Sequence, residues 1–244
     1  MEQQHKDANA VVSYLQLRQL IGVLGISLPF VLILGTNVFG GCSKIQPSIS
    51  HYYYSVMHIV FTGTLCVLGG FLITYRGNSH YKYENMVSNF AGIFAFGVAM
   101  FPTSFSGFNS SDAACQYIYL MPDNSLPKYV NNLHFIFAAL LFTCFVIFCV
   151  KIFQDADEGV MDAKKKRRNK IYKACGIAIL LSILSIAAIT IYEKVSGKTV
   201  FPYYVFVFET TSLLPFGFSW LLKGSVNWKN SKSAMVRKVV GVVR

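Results

Sequence analysis

The sequence predicts an all-α integral membrane protein, a bundle of six transmembrane helices with both the N-terminus and the C-terminus cytoplasmic. Three observations predict it. Of the 244 residues, 54% are hydrophobic and only 14% charged, with a mean hydropathy of +0.46. The apolar residues gather in blocks of roughly 20, enough for a helix to cross a hydrocarbon core of about 30 Å. Finally, with the N-terminus inside, only Lys44, Lys128, Lys194 and Lys198 of the 22 Lys and Arg fall on the outer side. Cytoplasmic segments of membrane proteins carry such an excess of basic residues. The net charge of +11 is therefore a topology signal and not a nucleic-acid one.

Residues 1–18 form a polar cytoplasmic segment, and residues 19–222 the six-helix transmembrane domain. The first span, 19–38, contains Pro29, which frees the carbonyl of Gly25 and bends the helix. Gly22 and Gly25 offer close approach to a neighbouring helix. The run VFGGC up to Cys42 is similar to a lipoprotein cleavage box, but Phe39 and the long polar leader fit it badly, so the block is read as a span. The outer loop ends in PSIS and HYYY. Tyr52, Tyr53 and Tyr54 suit a membrane interface, with rings buried and hydroxyls wet.

The second span, 53–75, carries Ser55, His58 and Thr62 on one face with Leu65 and Gly69, at about 100° per residue. Polar groups in hydrocarbon are costly unless they face a bundle interior, so this face points inward. The third span, 87–103, has packing candidates Gly92 and Gly97 and ends at Pro102, which cannot continue the helical ladder. The loop 104–129 is rich in Ser, Asn, Asp and Pro, as a solvated loop is. It carries Cys115, a disulfide partner for Cys42 if the compartment is oxidising. The other four cysteines fall in spans, where a small buried thiol is the simple reading.

The fourth span, 130–152, puts Asn131, His134 and Ala138 on one face. An acidic stretch and the cluster KKKRRNK follow on the inner side. Such a cluster beside a span attracts anionic lipid. The fifth span, 171–192, carries Ser182 and Ser185. The sixth, 202–222, carries Glu209 and Ser212 on one face, and Pro215 bends it. The basic tail, 223–244, is expected to lie along the inner membrane surface against anionic lipid.

His58, His134 and Glu209 are the ionisable residues that matter for function. Each lies within about 10 Å of the outer end of its span, at a rise of about 1.5 Å per residue. Two histidines and a carboxylate at one depth can hold a metal or relay a proton, and Ser55 can serve as a nucleophile beside such a base. The chain has no HExxH, no paired CxxC and no Gly-rich phosphate loop. Buried histidines bonded to backbone carbonyls need no ligand at all.

PSIS before the second span, FP ending the third and LHF opening the fourth resemble an uncharacterised bacterial family of six-span membrane proteins, numbered 998 among domains of unknown function. More distantly, they resemble the eukaryotic DRAM/Sfk-type membrane proteins. The resemblance implies a six-helix integral membrane protein and supplies no catalytic residues or cofactor.

Three functions fit these residues. The leading one is a non-enzymatic, multi-pass plasma-membrane protein with an outer-side polar pocket for a lipid or small amphiphile, lined by His58, Thr62, Asn131, His134 and Glu209. The second is an intramembrane metal-dependent or serine hydrolase of lipid, using His58, His134, Glu209 and Ser55. The third is a proton-coupled transporter or a membrane effector subunit, for which Pro29 and Pro215 give a weak broken-helix signature.

Overall fold

The computed structural model describes residues 2–77, 82–104, 128–155 and 163–242. These are all helical or irregular, with no strand among them. Six α-helices run in chain order: α1 (Glu2–Gly40), α2 (His58–Thr74), α3 (Glu84–Met100), α4 (Lys128–Ile147), α5 (Ala163–Ser196) and α6 (Tyr204–Val242). Helices are the solution for long apolar segments because every backbone N–H and C=O then bonds within its own segment.

Among the described residues, four stretches are long and apolar enough to cross a membrane: Gln16–Gly40, Asn132–Ile152, Ala163–Ser196 and Tyr204–Ser225. Helices α2 and α3 have 17 residues each, about 25 Å at a rise of about 1.5 Å per residue. The outward faces are apolar: Val23, Phe30, Leu34, Ile59, Leu181 and Leu184 are exposed. A soluble protein does not expose apolar surface so continuously. This is a helical membrane protein.

The helices form a closed ring. Each packs on its neighbours in the chain, and α6 returns to pack on α1. The α1–α6 and α2–α3 seams are the most extensive, and α1–α2 is the sparsest of the six. Glycine explains the two tight seams. A Cβ on Gly22 would meet the Gly217 carbonyl at 2.7 Å, and one on Gly217 would meet the Gly22 carbonyl at 2.5 Å. Gly69 and Gly92 face each other in the same way, at 3.0 and 2.6 Å. Backbones this close leave no room for a side chain. Gly25 meets Phe216, and Gly97 meets Phe137 of α4. All four glycines singled out in the sequence thus sit at helix crossings.

Helix ends follow local chemistry. Helix α1 stops before Gly41, whose φ of +61° is the left-handed conformation that glycine adopts without a Cβ penalty. Helix α3 stops before Pro102, and Phe101 is extended, as a residue preceding proline is forced to be. Helix α4 ends in a π-turn, Phe148–Ile152, closed by the Phe153 N–H donating to the Phe148 carbonyl at 2.8 Å.

Several boundaries differ from the sequence reading. Helix α2 begins at His58 and not at residue 53. The chain before it, Ile49–Tyr54, is a 3-10 turn capped by Ser48. Ser55 joins the two elements and is not on the α2 face that was to carry it. The Ser55 hydroxyl donates to the Tyr52 carbonyl at 2.8 Å and accepts from the Met57 N–H at 3.1 Å, and this bends the chain between them. Helix α5 begins at Ala163, so the KKKRRNK cluster is helical, in keeping with the good helix propensity of Lys and Arg. Helix α6 runs without a break through Pro215 to Val242, so most of the basic tail extends a helix.

Candidate functional site: a roofed crevice

The 3-10 turn lies across one end of the ring. Helix α6 and the segment after α3 hold it there. The Phe206 N–H in the first turn of α6 donates to the Pro47 carbonyl at 3.0 Å. The Glu209 carboxylate of α6 accepts from the Ile49 N–H at 2.5 Å and from the Ser50 hydroxyl at 3.5 Å. On the far side, the Tyr54 hydroxyl donates to the Thr103 carbonyl beyond α3 at 2.6 Å. Glu209 thus neutralises the N-terminal N–H groups of the turn, where a carboxylate is favoured.

Tyr52 and Tyr54 are buried under this roof. The reading of their hydroxyls as wet is corrected for both: the Tyr52 hydroxyl is buried, and the Tyr54 hydroxyl is spent on Thr103. Burial, with Tyr53 beside it, pushes the Tyr54 phenol up to about 12. His51, which the sequence reading passed over, lies in the same turn. Burial first, and nearby His134 second, hold its imidazole down from an ordinary 6.5 to about 4. The ring sits 2.6 Å from the Ser48 hydroxyl through Nδ1, and Ser48 Oγ also accepts the His51 N–H at 3.1 Å. A neutral Nδ1 accepting the hydroxyl proton satisfies both contacts.

Beneath the roof is a narrow, partly open crevice with a cavity volume of about 50 Å³. Leu28 of α1, Phe61 and Leu65 of α2, Leu141 and Phe145 of α4 and Leu213 of α6 line it. Its polar lining is confined to Glu209 and Ser50 at the roof and Thr64 on the wall. At the deep end the Phe145 ring stacks on Phe216, with centroids 3.6 Å apart.

The residues expected to share a site are distributed as follows. Glu209 lines the crevice and holds the roof. His134 is buried, and its Nδ1–H donates to the Phe101 carbonyl at 2.7 Å. His58, half-buried, donates from Nδ1 to the Tyr53 carbonyl at 2.6 Å, with its ring edge-on to Tyr53. The Thr62 hydroxyl bonds back to the His58 carbonyl within α2 at 2.8 Å. The side chain of Asn131 lies outside the described residues. Among the described residues no three His, Cys, Asp or Glu side chains gather as a metal set. Ser55 bonds to backbone and not to an imidazole. Cys42 is disulfide-bonded, while Cys66, Cys144, Cys149 and Cys175 are free thiols. Its expected partner, Cys115, lies outside the described residues.

The opposite end of the ring holds a second polar group that the sequence reading did not find. Arg18 of α1, only 2% exposed, donates from Nη2 to the Tyr75 hydroxyl at 2.6 Å. That hydroxyl donates in turn to Glu84 of α3 at 2.6 Å. The Tyr75 ring stands edge-on to Trp220 and Phe148, and Phe153 packs on both. Arg18 and Glu84 flank apolar blocks in the sequence, where each reads as an ordinary boundary charge. Their shared hydroxyl partner, 57 positions from Arg18, is invisible to local pattern.

No family model, curated protein or solved structure matches this chain.

Proposed function

We propose that this chain is a six-span, multi-pass plasma-membrane protein with both termini cytoplasmic, and that it holds a lipid or small amphiphile in the roofed crevice from the outer leaflet. The observation that carries this reading is the distribution of polarity within one cavity. Carboxylate and hydroxyl stand at the roof, and leucine and phenylalanine line nearly everything below. An amphiphile has that distribution, and a small polar solute or a hydrated ion does not.

The membership of α2 and α3 in the ring supports six spans, as do the basic residues on the side away from the roof and the resemblance carried by PSIS, FP and LHF. A Cys42–Cys115 disulfide would place the roof in an oxidising compartment. The sparse α1–α2 seam gives a route from the bilayer, since both helices line the crevice. The exposed basic residues Lys164, Lys166, Arg167 and Lys170 at the start of α5 would rest on anionic lipid of the inner leaflet.

The test is native mass spectrometry of the protein released from lipid nanodiscs. Wild type is expected to carry bound amphiphile. Leu65→Trp fills the crevice and is expected to lose most of it. Leu184→Trp, on the exposed face of α5, is expected to keep it. Equal retention by a folded Leu65→Trp protein would defeat the reading, as would a wild type that carries nothing with lipid on offer.

A further inference from the structure

Among the described residues, the crevice has one ionisable group in its lining, and it is an acid. We propose that its amphiphile is a long-chain amine, whose ammonium pairs with the Glu209 carboxylate while its alkyl chain lies along Leu65 and Leu141 toward Phe145. This rests on the binding role proposed above and specifies the head group.

The carboxylate has room for such a partner. A carboxylate offers about four lone-pair sites. The Ile49 N–H occupies one at Oε2. The Ser50 hydroxyl reaches Oε1 only at 3.5 Å, the outer limit of a hydrogen bond. An ammonium brings three donors and a full charge, and so outcompetes that loose contact at Oε1.

The alternatives lack complements. A phosphate or carboxylate head needs Arg, Lys or a set of free N–H groups, and none of the lining residues is basic. It would also meet Glu209 as a like charge in a low-dielectric site, where repulsion is screened little. The two nearby imidazoles do not supply a cation. Neither His51 nor His134 lines the crevice. A neutral alcohol brings Glu209 one donor, whereas an ammonium brings three and a charge of the opposite sign.

The experiment offers hexadecylamine, hexadecanol and hexadecyl phosphate at equal mole fraction in nanodiscs carrying the full chain, and counts retained ligand by native mass spectrometry. Wild type is expected to keep the amine about tenfold over the other two, the scale of a charge-assisted hydrogen bond. Glu209→Gln is expected to abolish that preference, and Glu209→Asp to keep most of it. Equal retention of the three by wild type, or an amine preference that survives in Glu209→Gln, overturns the proposal. Leu65→Trp separates the two failures. If it lowers retention of all three probes, the crevice binds amphiphiles without choosing the amine. If it changes none, the binding role itself fails. Unfolding of Glu209→Gln would show in its melting curve, and the Glu209→Asp protein together with the wild-type ranking then decides.

Discussion

The two ends of this bundle each hold a carboxylate between helices, one buried and one half-buried, and they treat it in opposite ways. At the Arg18 end, Glu84 is 3% exposed and joined through the Tyr75 hydroxyl to an arginine, and the surrounding space is packed with Trp220, Phe148 and Phe153. At the roofed end, Glu209 accepts from two residues of a six-residue 3-10 turn and stands over open space. The first arrangement is complete without a ligand. The second has a carboxylate with acceptor capacity to spare and a crevice below it. The comparison teaches that an acid between helices marks a candidate site only where its charge is not already answered and its surroundings are not already filled.

Removing the arginine sharpens this contrast most. Arg18→Ala removes the guanidinium that is joined to Glu84 through the Tyr75 hydroxyl, and leaving a buried polar partner unsatisfied costs about 1–3 kcal/mol, more for charged groups. A large fall in the melting temperature in detergent is expected, with amphiphile retention by the folded fraction unchanged. A neutral melting curve would mean that the Arg18 end is not a structural clamp. The double substitution Arg18→Met with Glu84→Gln, which removes both charges, is expected to recover much of the loss.

The glycine seams come next. Gly22→Val drives a branched side chain into the α6 backbone and is expected to cost about 2 kcal/mol, within the usual range for overpacking. Gly70→Ala is the control. Nothing lies within 4 Å of its Cβ position, so its effect is expected to stay within about 0.5 kcal/mol. Equal effects on the melting temperature would contradict the helix crossings described above.

The smallest effect concerns the roof and pH. His51 is held down to about 4 in the folded chain against an ordinary 6.5. A lowered histidine value means that the unfolded chain binds the proton first. Stability from the neutral ring is therefore present in full above about 6.5 and is lost as pH falls toward 4. Protonation also removes the lone pair that accepts from Ser48. Melting curves between pH 7 and 4 are expected to fall more steeply for wild type than for His51→Gln. Parallel curves would mean that His51 does not fasten the roof.

Much of this architecture is legible in the sequence, and the reason is the solvent. Hydrocarbon forces long apolar runs into helices, so the composition and spacing of the blocks already predict them. Gly22, Gly25, Gly92 and Gly97 could be read as crossing points because small residues inside apolar helices have few other uses. Pro102 could be read as an end because it lacks an N–H. The roof was not legible. Tyr53 and Tyr54 were read as the start of the second span, and nothing in the local periodicity marks the bend that Ser55 makes. Glu209 was found as an ionisable residue in a span, but its partners are 160 and 159 residues away in sequence. The three candidates at common depth also face different neighbours, because equal depth fixes height along the bundle and not position around the ring. The Arg18–Tyr75–Glu84 chain was missed for a related reason. Charges at the ends of spans look alike whether they meet water or one another.

The central claim is that the space below Glu209 is a binding pocket, and one measurement addresses it most directly. A high-resolution structure of the protein in lipid nanodiscs should be read for density inside the ring. The account predicts an elongated feature that begins at the Glu209 carboxylate, passes Leu65 and Leu141 and stops at Phe145. A ring whose own side chains have closed into that space, with lipid on offer and no density beneath the roof, would contradict it.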